Sequence, residues 1–504
     1  MSLPDWLDPL YEAAEMRAVD AWAIEEQGVP SLDLMERAGA GLARVVAEAA
    51  APGPVRIVVG KGNNGGDGLV TARLLREDGQ EVDVLSTAPL EELRGDARAN
   101  LECLPGSAPE PFDPERLDGS GVIVDALLGT GFDGVAREPA ASAIAAINAV
   151  GAPVVACDVP SGVNASTGEI EAEAVSALAT ATFHGSKLGL HVEPGKSHAG
   201  AVEVVDIGVP RGAPAPGAGG LISERVLDLY PHRPRSGSKF ESGVVVVVGG
   251  SAGLTGAPTM AARSASRAGA GYVQVAVPES AQAAIDMRLL EQMSRGLPEH
   301  DGAHTPQGVR VAEEMAERAG AVVLGPGLGR DEGAAEFART LAAAVPIPLL
   351  VDADGLNAHA GSLESLRDRT APTVLTPHEG ELGRLLEVDS DEVRQHRLAH
   401  AREAAERSGA VVLLKGDDTI VAVPGGPVAV SPGATPALAT AGTGDVLSGL
   451  IGALLAKGLA AFEAAALGAL AHALAGMAAA ERHGADHVVA GDVIDALPHG
   501  LTLR

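Results

Sequence analysis

The chain has 504 residues with 37 Lys+Arg against 67 Asp+Glu, a formal charge of −30 at pH 7, and 46% hydrophobic but only 2% aromatic residues. Such an acidic balance argues against nucleic acid or an anionic membrane as partner, because binding phosphates needs concentrated positive charge, and the composition is that of a globular protein. Cys103 and Cys157 are too few for a disulfide framework and do not form a CxxC pair, which points to a reducing, cytoplasmic setting.

The first thirty residues carry Asp5, Asp8, Glu12 and Glu15 without a basic segment followed by an apolar one, so a secretory signal is not expected. Short apolar runs then recur between alanine-rich segments: Val55 to Val59, Val122 to Asp125, Val154 to Asp158, Val244 to Val248, Ala321 to Leu324, Leu349 to Asp352 and Val411 to Leu414. Continuous rather than alternating apolar runs read as central strands covered by helices on both faces, an α/β pattern. The proline- and glycine-rich stretch Pro210 to Gly220 reads as a linker, giving domains over 1–215 and 221–504. Leu459 to Ala480 is apolar but mostly alanine and is broken by Glu463 and His472, so a buried helix is expected there rather than a membrane span.

In open α/β sheets ligands gather beyond the carboxyl ends of the strands, so the turns there carry the chemistry. The first strand runs into Gly60-Lys61-Gly62-Asn63-Asn64-Gly65-Gly66-Asp67-Gly68, followed by a helical run from Leu69 to Glu77. Its glycines let backbone approach a phosphate, and Asn63, Asn64 and Asp67 add polar groups that a mere turn does not need. A second strand ends in Asp125-Ala126-Leu127-Leu128-Gly129-Thr130-Gly131-Phe132-Asp133-Gly134, where the GxGxxG match is weak because no helix begins before about Pro139. A third ends in Cys157-Asp158-Val159-Pro160-Ser161-Gly162. This last end, taken alone, reads as a turn; three such ends together read as a shared pocket. Asn64, Asp125 and Ser161 also supply the hard oxygens that a cation prefers.

GKGNNGGDG, DALLGTG, DVPSG and TFHGSKLGL (Thr182 to Leu190), in this order over roughly residues 10 to 210, resemble the NAD(P)H-hydrate epimerase family. The resemblance implies a Rossmann-like three-layer fold with Asn63, Asn64, Gly65, Gly66 and Asp67, and Gly129, Thr130, Gly131, Phe132, Asp133, Gly134 and Val135, on the hydrated nucleotide. It also implies Asp158 at the reacting ring and potassium held by Asn64, Asp125 and Ser161.

In the second half, Val244 to Val248 leads into Gly249-Gly250-Ser251-Ala252-Gly253-Leu254-Thr255-Gly256-Ala257-Pro258, and later strands end in GPGLG (Gly325 to Gly329), DADGLN (Asp352 to Asn357) and TPHEGE (Thr376 to Glu381). The sharpest signal is Ala441-Gly442-Thr443-Gly444-Asp445 followed by apolar Val446, Leu447, Leu450, Ile451, Leu454 and Leu455. That spacing makes one helical face, so the glycines sit at a helix N-terminus whose free N–H groups welcome negative charge. Asp445 there reads either as an N-terminal charge partner or as a base taking a proton from a hydroxyl while the GTG backbone stabilises a transferring phosphoryl group. Lys415-Gly416-Asp417-Asp418-Thr419 offers a cation and a hydroxyl for nucleotide phosphates.

These motifs resemble the ribokinase-like superfamily, and within it the ADP/ATP-dependent NAD(P)H-hydrate dehydratases, over roughly residues 221 to 500. The resemblance implies Ala257, Gly329, His378 and Asp445 at the hydrated nicotinamide nucleotide, with Lys415, Gly416, Asp417, Asp418, Thr419 and Gly444 at ADP or ATP and its magnesium. Ser238-Lys239-Phe240 stands where that family usually has His-Lys-Gly.

The expected function is repair of hydrated NADH and NADPH: inversion at C6 in the first half, and ADP- or ATP-driven dehydration of the S epimer in the second, by a soluble homo-oligomer. Two rivals stand beside it. A vitamin-precursor kinase would use the same GTGD helix but keep the phosphate on its product, and the first half could be a binding module without catalysis.

Overall fold

The computed structural model describes residues 3–233 and 235–502. They fall into two compact units, one of Pro9–Gly220 and one running from Leu221 that also takes in Pro4–Asp8. The N-terminal stretch departs from the expected 1–215 boundary for a local reason. Trp6 packs its ring 5.2 Å from that of Phe462, and Ser223 N–H donates to the Trp6 carbonyl at 3.1 Å.

In the first unit a seven-stranded parallel sheet has the order Glu110–Pro111, Val82–Ser86, Val55–Val59, Val122–Ala126, Val154–Cys157, Ala179–Phe183, Ala201–Val205. Chain order therefore reverses between Val55–Val59 and Val122–Ala126, which pair with Val58 beside Asp125, and a crevice opens past their carboxyl ends. Helix Ser31–Ala49 covers one face with Leu34, Ala38, Leu42, Val45 and Val46, the three-to-four spacing of a single apolar stripe. The expected helix at Leu69 begins earlier, at Asn63. The NNGGDG stretch is thus the opening turns of a helix rather than a loop. Glycine permits this: a Cβ on Gly65 would lie 2.0 Å from the Gly60 carbonyl oxygen.

The second unit repeats the arrangement. Within an eleven-stranded sheet, the parallel strands Met293–Leu297, Tyr272–Pro278, Val244–Val248, Ala321–Leu324, Leu349–Val351, Thr373–Leu375 and Val411–Leu414 follow one another in the same pattern. Its reversal lies between Val244–Val248 and Ala321–Leu324, the strands that lead into the GGSAGLTGAP and GPGLG turns. Ile420–Ala422 and Val428–Val430 extend the sheet antiparallel, and Gly219–Ile222 follows, so the end of the expected linker is itself strand.

Helix Thr443–Ala456 starts from Gly442 at φ 94°, and a Cβ on Gly449 would meet the Ala261 carbonyl oxygen at 2.0 Å, which lets it lie against helix Gly256–Arg267. Helix Ala461–His483 is long and apolar enough to cross a membrane by length and composition, yet 72% of its most apolar window is buried inside the protein. It is a core helix, as its alanine content suggests.

Candidate active sites

At the reversal point of the first sheet lies a cavity of about 1320 Å³. Asn63, Asn64, Asp67, Gly129 to Val135 and Asp158 all line it. Gly65 and Gly66, expected on the ligand, do not line it; they are the close-packed side of the helix start, with Gly66 against Met35.

Asp158 follows strand Val154–Cys157 with φ 66°, a left-handed conformation that costs of order 1–3 kcal/mol for a residue with a side chain and is found where function requires it. Its Oδ1 accepts from Lys187 Nζ at 2.6 Å, Thr182 Oγ1 at 3.2 Å and Phe183 N–H at 3.4 Å, and its Oδ2 from the Thr130 hydroxyl and from Thr130 N–H at 3.3 Å. Burial pushes this carboxyl up, but Lys187 and the hydrogen bonds outweigh burial and hold it below its usual range. Lys187, 1% exposed, also donates to the Phe183 carbonyl at 2.9 Å. Sequence reasoning passed over it. Its signal was faint, one lysine within a glycine-flanked motif of a chain with only six lysines.

Asp67 is different. Burial, with Asp158 and Asp20 beside it, pushes its carboxyl well above the ordinary carboxylate value, and Asp20 on helix Ala13–Ala21 is raised chiefly by burial.

Beneath the cavity Asp125 and Ser161, two of the three expected cation ligands, bond to each other, and Asn64 meets Ser161 only through the Leu128 carbonyl that both reach. Asp125 is fully buried and accepts from Ser161 N–H at 2.7 Å, Ser161 Oγ at 2.6 Å and Leu127 N–H at 3.3 Å, while Asn64 Nδ2 donates to the Leu128 carbonyl at 3.0 Å. Burial raises Asp125 to about 6, with the Ser161 and Leu127 hydrogen bonds opposing it.

In the second unit a cluster of charged side chains gathers where helix Thr443–Ala456 meets the strand ends. Asp352, 2% exposed, accepts from Lys415 Nζ at 3.0 Å and from Ser448 Oγ at 2.6 Å, and Glu381 Oε2 lies 3.4 Å from the same ammonium. Burial disfavours the charge on Lys415, but Asp352 and Glu381 outweigh it and hold the ammonium above the ordinary lysine value. Burial, then Asp352, raises Asp445 to about 7, and Lys415 pulls the other way. His378 caps helix Glu379–Leu386, its Nδ1 accepting from Gly380 N–H at 3.0 Å and Glu381 N–H at 3.3 Å, which leaves Nε2–H as the ring's donor. Burial lowers its pKa. Gly329 N–H donates to Asp354 Oδ2 at 3.0 Å, and Ala257 stands in the first turn of helix Gly256–Arg267, beside Gly327.

The KGDDT turn differs from expectation in detail. Asp418 is buried against Arg397, whose Nε and a terminal nitrogen reach its two oxygens at 2.9 and 2.8 Å, and Glu379 takes the guanidinium's other side at 2.6 Å. A desolvated guanidinium needs such partners, so Asp418 is spent inside the turn. The Thr419 hydroxyl closes it, donating to the Gly416 carbonyl at 2.6 Å, and Asp417 accepts from Ala434 N–H at 2.9 Å. Lys415 faces Asp352 and Glu381, and a Cβ on Gly444 would lie 3.6 Å from its ammonium. Asp352 and Glu381, quoted in motifs but given no role, and Ser448 and Arg397, not singled out at all, are the side chains that the fold gathers around Lys415 and its turn.

Two family models match the chain: NAD(P)H-hydrate dehydratase over residues 245–499 and YjeF-related protein N-terminus over residues 31–189. The bifunctional NAD(P)H-hydrate repair enzyme of Salinibacter ruber is 42% identical, covering 97% of this chain and 95% of its own length. The chain belongs to the bifunctional NAD(P)H-hydrate repair enzyme family. Another repair enzyme of the family, from Moorella thermoacetica, is 41% identical over 98% of this chain and 96% of its own. Among solved structures, an ADP/ATP-dependent NAD(P)H-hydrate dehydratase from Bacillus subtilis, co-crystallised with ATP and Mg2+, is 26% identical with a TM-score of 0.47, covering 55% of this chain and 95% of that one. One candidate site lies within each region that a family model matches.

Proposed function

We propose that the chain repairs hydrated NADH and NADPH, epimerising them at C6 in the first unit and dehydrating the S epimer in the second at the expense of ADP or ATP. The observation that carries the reading is the pairing of two differently tuned aspartates, each at the reversal point of its own sheet or beside it. Asp158 is held ionised by a buried lysine, and Asp445 is raised to about 7 at a helix N-terminus.

In the second unit Asp445 takes the proton of the C6 hydroxyl, and a pKa near the working pH suits a general base. The new alkoxide attacks the terminal phosphoryl group, which Lys415 and the free N–H groups around Gly444 stabilise. Phosphate then leaves C6 far more readily than hydroxide would, and loss of a C5 proton restores the dihydronicotinamide. Magnesium arriving with the nucleotide would neutralise phosphate charge, and the carboxylates of Asp352 and Glu381 are hard oxygens of the type it takes. In the first unit Asp158 faces the ring that becomes cationic during inversion. Potassium held by Asn64, Asp125 and Ser161 would stiffen the floor beneath it; the all-oxygen donor set and the burial of Asp125 support this. Two free cysteines support cytoplasmic operation.

The decisive experiment incubates the protein with mixed hydrate epimers and either ADP or ATP while dihydronicotinamide absorbance is followed. Full recovery of absorbance, faster than spontaneous inversion allows, is expected. A phosphorylated product that accumulates without absorbance would instead identify a small-molecule kinase.

A further inference from the structure

The epimerase cavity contains two carboxyl groups of opposite character. Asp158 accepts five hydrogen bonds, one of them from an ammonium, so it is a fixed charge and a poor carrier of protons. Asp67, 8% exposed, sits in the first turns of helix Asn63–Glu77 and lines the same cavity as Asp20, Asp158 and Lys187. Its carboxyl accepts no hydrogen bond from any described residue, although its backbone carbonyl accepts one from Thr71. A buried carboxylate without donors is strongly disfavoured, whereas a buried carboxylic acid is not.

We infer that Asp67 is the proton carrier of the epimerase, acting as general acid and then general base on the C6 oxygen, while Asp158 stays ionised and stabilises the cationic ring. The inference rests on the epimerase reading of the first unit. The Asp67 proton passes to the C6 hydroxyl, the C6–O bond breaks, and water leaves as the N1 lone pair forms the N1=C6 iminium. Water then adds to the other face of C6 and returns a proton to the Asp67 carboxylate, so the carboxyl group ends as it began. The burial and neighbouring charges that raise Asp67 keep it loaded with its proton in the resting site. Lys187 holds Asp158 in place and ionised and is a positioning residue.

The test is conversion of one purified hydrate epimer to the equilibrium mixture by the full chain, with the spontaneous rate subtracted. Asp67→Asn is expected to lower kcat by about a hundredfold or more with KM changed little, since an amide of the same shape holds the substrate but cannot deliver the proton. Acetate is expected to restore part of the rate to Asp67→Ala, which a merely structural residue would not allow. The wild-type rate should be high at low pH and fall as pH rises through the raised carboxyl, because the acid form starts each turnover. Wild-type kcat in Asp67→Asn, no rescue of Asp67→Ala by acetate, or a wild-type rate flat across about pH 5 to 9 would each overturn the assignment. Should Asp67→Asn fail to fold, the wild-type pH profile decides alone. A wild-type chain that does not interconvert the epimers at all would instead remove the epimerase reading itself.

Discussion

Lys187 Nζ lies 2.6 Å from Asp158 Oδ1, and both side chains are buried at the floor of the first cavity. Lys187 follows strand Ala179–Phe183 and Asp158 follows its neighbour Val154–Cys157, so the pair clamps two adjacent strand ends while fixing one negative charge in the cavity wall. Removing one partner of a buried pair leaves the other charge uncompensated, which is the costly direction.

Lys187→Met is therefore expected to destabilise the protein by about 3–5 kcal/mol and to abolish epimerisation. The folded pKa of Asp158 is depressed, so in the wild type its stabilising effect is complete above the ordinary carboxylate value and is lost as pH falls through the lower folded value. The variant should lack that acid-side loss. Thermal unfolding against pH measures both, and an unchanged melting temperature at neutral pH would disprove the role.

Asp158→Asn retains the shape of the side chain and removes its charge. Full-chain dehydration of mixed epimers by this variant should become biphasic, one epimer consumed quickly and the other only as fast as it inverts spontaneously. A single wild-type-like phase would show that inversion does not depend on Asp158.

Dehydration is expected to rise with pH through about 7 and then level, because Asp445 must be ionised to take the hydroxyl proton. Asp445→Asn should lose at least about a hundredfold in dehydration while epimerisation persists. An unaltered dehydration rate in Asp445→Asn would reduce Asp445 to a charge partner of its helix.

Replacing potassium by a bulky organic cation should slow epimerisation, and Asp125→Asn should blunt that dependence. Three protein hydrogen bonds already satisfy Asp125 in part, so the alternative has a clear signature: equal rates with and without potassium.

Arg397 is 2% exposed and joins Asp418 to Glu379 beneath the KGDDT turn. Arg397→Gln is expected to raise KM for ADP or ATP more than it lowers kcat, because it loosens the turn that follows Lys415 without touching Asp445. Equal losses in both constants in a folded variant would place Arg397 in the chemical step instead.

Much of this was legible in the chain alone. Valine- and leucine-rich runs without alternation identify strands buried on both faces, and all seven expected here are strands within one residue of the expected ends. Glycine clusters after such runs mark the strand-end turns, so GKGNNGGDG, DVPSG and GTGD were readable as candidate site elements, although Gly65 and Gly66 serve close packing and do not line the cavity. Burial and charge balance were not. Short or polar-interrupted strands such as Val82–Ser86 and Tyr272–Pro278 carry too weak a local pattern to be recognised, since their pairing partners lie far away in sequence. The start of the first ligand helix at Asn63 escaped for a related reason: glycine has poor intrinsic helix propensity, and only the close packing against Gly60 and Met35 makes it the right residue there. The deepest gap concerns partners. Lys187 with Asp158, Lys415 with Asp352 and Glu381, and Arg397 with Asp418 join residues 21 to 63 positions apart. Sequence therefore determined which residue types could do chemistry, whereas the strand order of each sheet decided which of them share a low-dielectric pocket, and that proximity sets which carboxyl group stays charged and which keeps its proton.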